Sequence, residues 1–78
     1  MQAVQGVYMG KRSVLITGAS RGIGRACAFR FARAGYFVFI NCRHSVTELY
    51  DIKRQLLAGG HLCEAVPGDA GDPADTAQ

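Results

Sequence analysis

The hydrophobic and polar positions along the chain predict alternating strands and helices. Residues 13–17 and 36–41 are short apolar runs rich in β-branched or aromatic side chains, which is typical of strands buried on both faces of a parallel sheet. Between these runs Ile23, Cys27 and Phe31 recur every four residues, and this spacing predicts a helix with one apolar face. The first half of the chain therefore predicts a strand, a helix and a second strand.

The second half of the chain continues this alternation. Ser45, followed three residues later by Glu48, predicts a capping box at the start of a second helix, which ends at residues 59–60. The apolar face of that helix is formed by Leu49, Ile52 and Leu56. Residues 61–66 predict a third strand, and Asp72-Pro73 predicts the start of a third helix. The order of elements is β-α-β-α-β, which is typical of an α/β fold with a parallel sheet.

A glycine-rich turn joins the first predicted strand to the first predicted helix. Residues 17–24 read Thr-Gly-Ala-Ser-Arg-Gly-Ile-Gly, with glycines at positions 18, 22 and 24. Gly18 allows a tight turn out of the strand, Gly22 removes the side chain where a pyrophosphate must approach, and Gly24 allows the helix to pack close to the sheet. Because backbone N–H groups at a helix N-terminus favour anions, the turn is a candidate phosphate site. The alternative is an ordinary βα turn without a ligand.

A family resemblance begins at this turn. Residues 15–26 closely resemble the cofactor-binding opening of the classical short-chain dehydrogenase/reductase family, in its TGxxxGxG form, and most closely its 3-oxoacyl-acyl-carrier-protein reductase branch. The resemblance runs from about Lys11 to about Asp75, which is about the first third of a typical member. It implies a Rossmann-type, doubly wound parallel sheet, of which this chain would supply the N-terminal βαβαβ portion with strand order 3-2-1. Residues 11–78 would then be a partial NADP-binding domain, truncated before the catalytic half.

The resemblance also implies which residues bind the cofactor. They are Gly18, Ser20, Arg21, Gly22, Ile23, Gly24, Arg43, Asp69 and Ala70. An aspartate after the third strand contacts the adenine amino group in the family, and the next residue closes over the ring. A larger aliphatic residue than Ala70 is usual there. The alternative for Asp69 is a turn-forming aspartate without a ligand.

The end of the second predicted strand indicates NADP rather than NAD. In dinucleotide folds an acidic residue at this point binds the adenosine ribose and repels the extra phosphate of NADP. No acidic residue is present at residues 41–47; Arg43 follows the strand instead, and Arg21 lies in the glycine turn. A guanidinium group suits a phosphate, and both positions match arginines of NADPH-preferring family members. The alternative for Arg43 is a surface turn residue.

Catalytic residues are not expected in this chain. The family reaction requires a serine, a tyrosine and a lysine four residues after the tyrosine, and the chain ends before they would occur. Tyr50 has Lys53 three residues later and Arg54 four residues later, so it does not fit. The parent reaction that the resemblance implies is hydride transfer from NADPH to a carbonyl, such as a 3-oxoacyl thioester. A non-catalytic nucleotide-binding or interaction module, or a gene remnant, is the alternative to a truncated reductase.

Composition and charge narrow the classes of function. The chain has no run of 18 apolar residues and no secretory signal, so we expect a cytoplasmic protein without a membrane span. Residues 1–47 hold seven basic residues and no acidic one, whereas residues 48–78 hold two basic and six acidic residues. Because several arginines fall on the polar face of the first helix without interleaved aromatic residues, we do not expect nucleic-acid binding. Three scattered cysteines without metal spacing are expected to be structural, and no metal site is expected.

The beginning of the chain and the strand order lead to two further expectations. Residues 1–10 are interpreted as a leader, since Met9 is an alternative start to Met1. With no fourth strand, residues 14–16 would form an open apolar edge, and one face of the sheet would lack helices. We therefore expect the isolated chain to be self-associated, aggregated or partly unfolded. A full-length form is expected to be a homo-oligomer, as is usual in the family.

Overall fold

The computed structural model describes residues 2–19 and 22–68 and contains one mixed sheet with two helices. The strands are β1 (Gln2–Tyr8), β2 (Lys11–Thr17), β3 (Phe37–Cys42) and β4 (Cys63–Pro67), and the helices are α1 (Gly22–Arg33) and α2 (Val46–Ala58). The strand order in the sheet is β1-β2-β3-β4. Strands β2, β3 and β4 pair in parallel, so the predicted β-α-β-α-β unit and its Rossmann-type order 3-2-1 are confirmed.

Strand β1 was not predicted, and it changes the edge of the sheet. It pairs antiparallel with β2 along its whole length, from Gln2 opposite Thr17 to Tyr8 opposite Lys11. The prediction of an open edge at residues 14–16 is therefore wrong, and the order 3-2-1 is extended by one strand. Every residue of β1 is exposed, so the strand has no buried face from which its presence could be predicted. That residues 1–10 are a dispensable leader stays a prediction.

The core lies on one face of the sheet. Val14 and Ile16 of β2 pair in register with Val38 and Ile40 of β3, and all four side chains are at most 1% exposed. The buried residues of both helices belong to the same apolar cluster. Both helices therefore cover the same face, as right-handed crossovers on one side of a strand require.

Helix α1 buries a different face from the one predicted. The prediction placed Ile23, Cys27 and Phe31 toward the core, but the buried residues are Gly24, Ala28 and Ala32. Ile23 is 72% exposed, whereas Cys27 and Phe31 lie beside the core and are partly buried. Small residues form the contact with the sheet and bring the helix backbone close to it. The larger side chains at positions 23, 27 and 31 therefore do not fit beneath the helix.

The backbone of α1 lies very close to the backbone of the glycine turn at Gly24, at the beginning of the helix. A Cβ atom added to Gly24 would lie 2.3 Å from the carbonyl oxygen of Gly18 and 3.0 Å from the Cα atom of Ala19. Both neighbours belong to the backbone of the turn, so they cannot move aside as a flexible side chain can. The sequence prediction that Gly24 allows close packing is confirmed.

Helix α2 packs as predicted, although its start differs. Leu49, Ile52 and Leu56 are buried, and the helix ends at Gly59, whose N–H donates to the carbonyl oxygen of Gln55 at 3.1 Å. The Ser45 side chain makes no capping hydrogen bond, so the predicted capping box is wrong. Further along the helix, Lys53 forms an ion pair of 2.7 Å with Glu64 and so joins α2 to β4.

An aromatic cluster occupies the face of the sheet opposite the helices. Phe37 and Phe39 alternate with the buried residues of β3 and stack with their ring centroids 4.8 Å apart. Tyr8 of β1 contacts both rings edge to face, with centroid distances of 5.1 and 5.2 Å. The cluster remains partly exposed, and no helix of the described ranges packs on it, as the strand order predicts.

Replacement of Gly24 by alanine tests the contact between α1 and the turn. We expect Gly24→Ala to lower the free energy of unfolding by about 1–3 kcal/mol, because the overpacked Cβ must displace backbone atoms. Gly6→Ala is the matched control, since its added Cβ would meet only the Ser13 Oγ at 3.7 Å. Chemical denaturation followed by circular dichroism measures both. Equal stability of the two variants would contradict the packing described here.

The three cysteines should differ in reactivity. Burial raises the pKa of the Cys63 thiol to about 11, and Cys42 is also buried, whereas Cys27 is partly exposed. Because the thiolate is the reactive form, iodoacetamide at mildly alkaline pH should alkylate Cys27 well before Cys63. Peptide mass spectrometry over time measures the order. Alkylation of Cys63 as fast as Cys27 in the folded protein would contradict this placement.

Candidate functional site

The carboxyl ends of the three parallel strands meet at one edge of the sheet. Thr17 at the end of β2 lies beside Asn41 of β3, and Cys42 lies beside Pro67 at the end of β4. In open α/β sheets this edge, next to the helix N-termini, is where ligands bind. The glycine turn follows β2 directly, so it is placed at this edge.

The turn has the backbone conformation that glycine favours. Gly18 and Gly22 have φ angles of +65° and +64°, in the left-handed region that side chains disfavour. Between them, Ala19 is fully buried, and its N–H donates to the carbonyl oxygen of Asn41 at 3.0 Å. The beginning of the turn is thus fixed to the end of the neighbouring strand.

Gly22 also leaves space at the start of α1. A Cβ atom added there would meet nothing within 4 Å, in contrast to the crowded Gly24 two residues further on. Ile23, between the two glycines, projects outward and is largely exposed. The first turn of α1 carries no acidic residue. The N–H groups at this helix N-terminus can therefore donate to an anion that approaches through the open side at Gly22.

Asn41 is a structural residue of this edge that sequence reasoning missed. Its side-chain Nδ2 donates to the carbonyl oxygens of Val66 and Gly68, each at 2.8 Å, and the Gly68 N–H donates to the Cys42 carbonyl at 3.0 Å. These bonds join the carboxyl ends of β3 and β4. The signal in the sequence was a buried amide at the end of an otherwise apolar strand, which requires hydrogen-bond partners.

The predicted site residues are only partly brought together in the described ranges. Gly18, Gly22, Ile23 and Gly24 form the turn, and Arg43 follows β3 directly on the same edge, with its side chain exposed. Ser20, Arg21, Asp69 and Ala70 lie outside the described residues. The backbone at residues 18–19 and 22–24 is thus described, while the phosphate-binding and adenine-binding roles remain predictions.

Two other polar features of the described ranges involve residues outside the turn. Lys53 on α2 hydrogen-bonds to Glu64, which raises the pKa of the lysine and lowers that of the glutamate. A groove of about 370 Å³ on the outer surface of the two helices is lined by Arg25, Phe29, Arg30 and neighbouring residues. The Arg25 guanidinium lies 4.9 Å above the Phe29 ring and donates to the Gln55 side chain at 3.3 Å.

Two further features of the described ranges concern metal ligands and membrane-spanning helices. Within residues 2–19 and 22–68, no three histidine, cysteine, aspartate or glutamate residues are grouped so that they could hold a metal ion. In the same ranges no helix is long and apolar enough to cross a membrane.

The sequence is similar to a known family of proteins. The sequence profile of the short chain dehydrogenase family matches residues 12–78. An L-rhamnose 1-dehydrogenase (NAD(P)(+)) from Sphingomonas sp. strain SKA58 is 45% identical over 67 residues, which are 86% of this chain and 26% of that protein. This chain thus spans about a quarter of the length of that relative.

Solved structures show the same likeness in three dimensions. The FolM alternative dihydrofolate reductase 1 from Brucella suis, crystallised with NADP, superimposes with a TM-score of 0.69 at 34% identity, over 74% of this chain and 24% of the other. A 3-ketoacyl-ACP reductase from Sinorhizobium meliloti 1021 superimposes with a TM-score of 0.65 at 32% identity, over 78% and 24%. Because the family profile, the sequence relatives and the fold agree over most of its length, this chain belongs to the short-chain dehydrogenase family.

Proposed function

We propose that this chain is the NADP(H)-binding N-terminal portion of a short-chain dehydrogenase/reductase. The observation that carries the proposal is the glycine turn, which presents the N-terminus of α1 at the carboxyl edge of the sheet with an open side at Gly22. A pyrophosphate fits such a turn because it needs N–H donors and close approach to the backbone. The FolM structure from Brucella suis, which contains NADP, supports the same assignment by similarity.

The residues of the turn have distinct roles in this proposal. Gly18 and Gly22 give the turn its shape, Gly24 holds the helix against it, and Ser20 and Arg21 contact the phosphates. Ile23 lies at the rim of the site through its exposed side chain. Asp69 and Ala70 bind the adenine. When bound, the nicotinamide supplies the hydride, and the residues of this chain position the cofactor without supplying the catalytic acid.

The choice of NADP over NAD is assigned to two arginines. No acidic residue is present at residues 41–47, where a ribose-binding carboxylate would repel a 2′-phosphate. Arg43 follows β3 on the edge next to the turn, and Arg21 belongs to the turn itself. A guanidinium offers several donors in a planar arrangement that suits phosphate oxygens. Both arginines are proposed to contact the 2′-phosphate.

The parent reaction of a longer protein is proposed to be carbonyl reduction by NADPH, of the 3-oxoacyl thioester type. The structural likeness to the Sinorhizobium meliloti 3-ketoacyl-ACP reductase supports this substrate class. This chain spans about a quarter of such proteins, and the serine, tyrosine and lysine of the reaction are proposed to lie outside its 78 residues. A cytoplasmic location and a homo-oligomeric full-length form complete the proposal, on the strength of the family resemblance.

A non-catalytic nucleotide-binding module is a second candidate, favoured by one observation. Strand β1 covers the edge of β2 that a fourth parallel strand occupies in the complete doubly wound sheet. The edge of β2 is therefore already paired within these residues, and β1 becomes the edge strand of the sheet. Cofactor binding by the isolated chain is common to both candidates, and a carbonyl-reducing activity in a longer chain would distinguish them.

Cofactor preference tests the proposed site directly. The unmodified chain should bind NADPH more tightly than NADH, and Arg43→Asp should abolish the preference, because it removes a charge-assisted contact worth about 1.5–3 kcal/mol. Titration calorimetry with both cofactors measures the two affinities. Folding of each variant is checked by circular dichroism.

Arg12→Asp is the matched control for this experiment. It makes the same change in charge at the amino end of β2, opposite the glycine turn, on an exposed residue. Its ratio of NADPH to NADH affinity should equal that of the unmodified chain. Equal affinities of the unmodified chain for the two cofactors, or loss of the preference in Arg12→Asp, would refute the assignment of Arg43.

A further inference from the structure

The register of the β1–β2 hairpin is symmetric about its turn. The paired residues run from Gln2 and Thr17 to Tyr8 and Lys11, and the two numbers of every pair add up to 19. When the residue numbers of all pairs in an antiparallel ladder have the same sum, the ladder is self-complementary, so one copy of the segment can pair with another in the same register. The segment from residue 2 to residue 17 can therefore pair with the same segment of a second copy, with the same partners, about a two-fold axis between Met9 and Gly10.

The hairpin turn has an energetic reason to open. Met9 has a φ of +53°, the only positive value at a non-glycine residue in the described ranges, and its apolar side chain is 85% exposed. Side chains disfavour this left-handed conformation. If β1 and β2 became one extended strand, Met9 and Gly10 would no longer adopt the left-handed conformation. Met9 could then pair with Gly10 of the second copy, and Gly10 with Met9. Exchange would thus relieve the strain in both copies.

The contacts that β1 makes are retained by such an exchange. Its seven residues are all exposed, so the strand is held mainly by the ladder with β2. Beyond the ladder, Tyr8 contacts the rings of Phe37 and Phe39, and the Tyr36 hydroxyl donates to Gln5 at 3.3 Å. A second copy offers the same residues of β3 in the same place relative to its β2. These contacts of β1 are therefore retained in the exchanged dimer.

We propose that two copies of this chain exchange β1 to form a two-fold symmetric dimer. In the dimer each β1 pairs with the β2 of the other copy, and residues 2–17 of the two copies form one continuous antiparallel ribbon. A short, strained hinge and an edge strand held by its backbone are the conditions under which such exchange occurs at low cost. This interface does not include the glycine turn. It uses the edge of β2 that a fourth parallel strand occupies in a complete doubly wound sheet, so the exchanged dimer and the complete sheet exclude each other.

Two variants of the turn should shift the dimer in opposite directions. Met9→Asn creates Asn-Gly, the sequence that a two-residue hairpin turn prefers, and so stabilises the closed hairpin. Gly10→Val places a β-branched residue at a φ of +76°, which disfavours the turn but suits an extended strand. Size-exclusion chromatography with light scattering over a range of concentrations should show a concentration-dependent dimer. Its dissociation constant should rise roughly tenfold or more in Met9→Asn and fall in Gly10→Val.

A second measurement identifies the interface and does not depend on either variant. In a dimer mixed from isotope-labelled and unlabelled chains, isotope-filtered NMR should detect contacts between Val4 of one copy and Leu15 of the other, which face each other in the ladder. Absence of these contacts would show that any dimer uses another surface, such as the aromatic face. A chain that stays monomeric at every concentration, or a dimer that Met9→Asn does not weaken, would equally overturn the proposal.

Discussion

The close contact between the backbone at Gly24 and the turn at Gly18 determines the position of everything that could bind a ligand. A side chain at Gly24 would lie 2.3 Å from a carbonyl oxygen of the turn, so the contact exists only because glycine has no Cβ. It holds the first turn of α1 directly beside the end of β2. Ala28 and Ala32 continue the same close approach along the helix. The helix N-terminus is thereby fixed at the carboxyl edge of the sheet.

The neighbouring strands stabilise this edge through polar bonds. The Ala19 N–H is bound to the Asn41 carbonyl, and the Asn41 side chain is bound to two carbonyl groups at the end of β4. One buried asparagine thus connects the glycine turn with both other parallel strands. Since a buried amide without partners is costly, these bonds hold the three strand ends in one arrangement. A ligand at this edge would meet a surface that is already in place.

Most of the fold could be predicted from the sequence because its strands and its second helix bury continuous or periodic apolar residues. Two errors have physical causes. In α1 the large apolar residues are not the ones that face the core, because alanine and glycine permit the closer contact. In β1 no side chain is buried, so the strand depends on its backbone ladder with β2 and on the turn at Met9. The pattern of hydrophobic residues predicts neither of these features.

The glycine turn could be predicted because each glycine answers a steric requirement that the structure also shows. Asn41 could not be assigned its role from sequence, since that role depends on where the chain returns after α2. Binding of a dinucleotide pyrophosphate at the turn can be tested by titration of ¹⁵N-labelled protein with NADP⁺, followed by NMR. We expect the largest amide shifts at residues 18–19, 22–24 and 41–43. Largest shifts at the arginine-lined groove around Arg25 and Arg30, or no shifts at a saturating concentration, would contradict it.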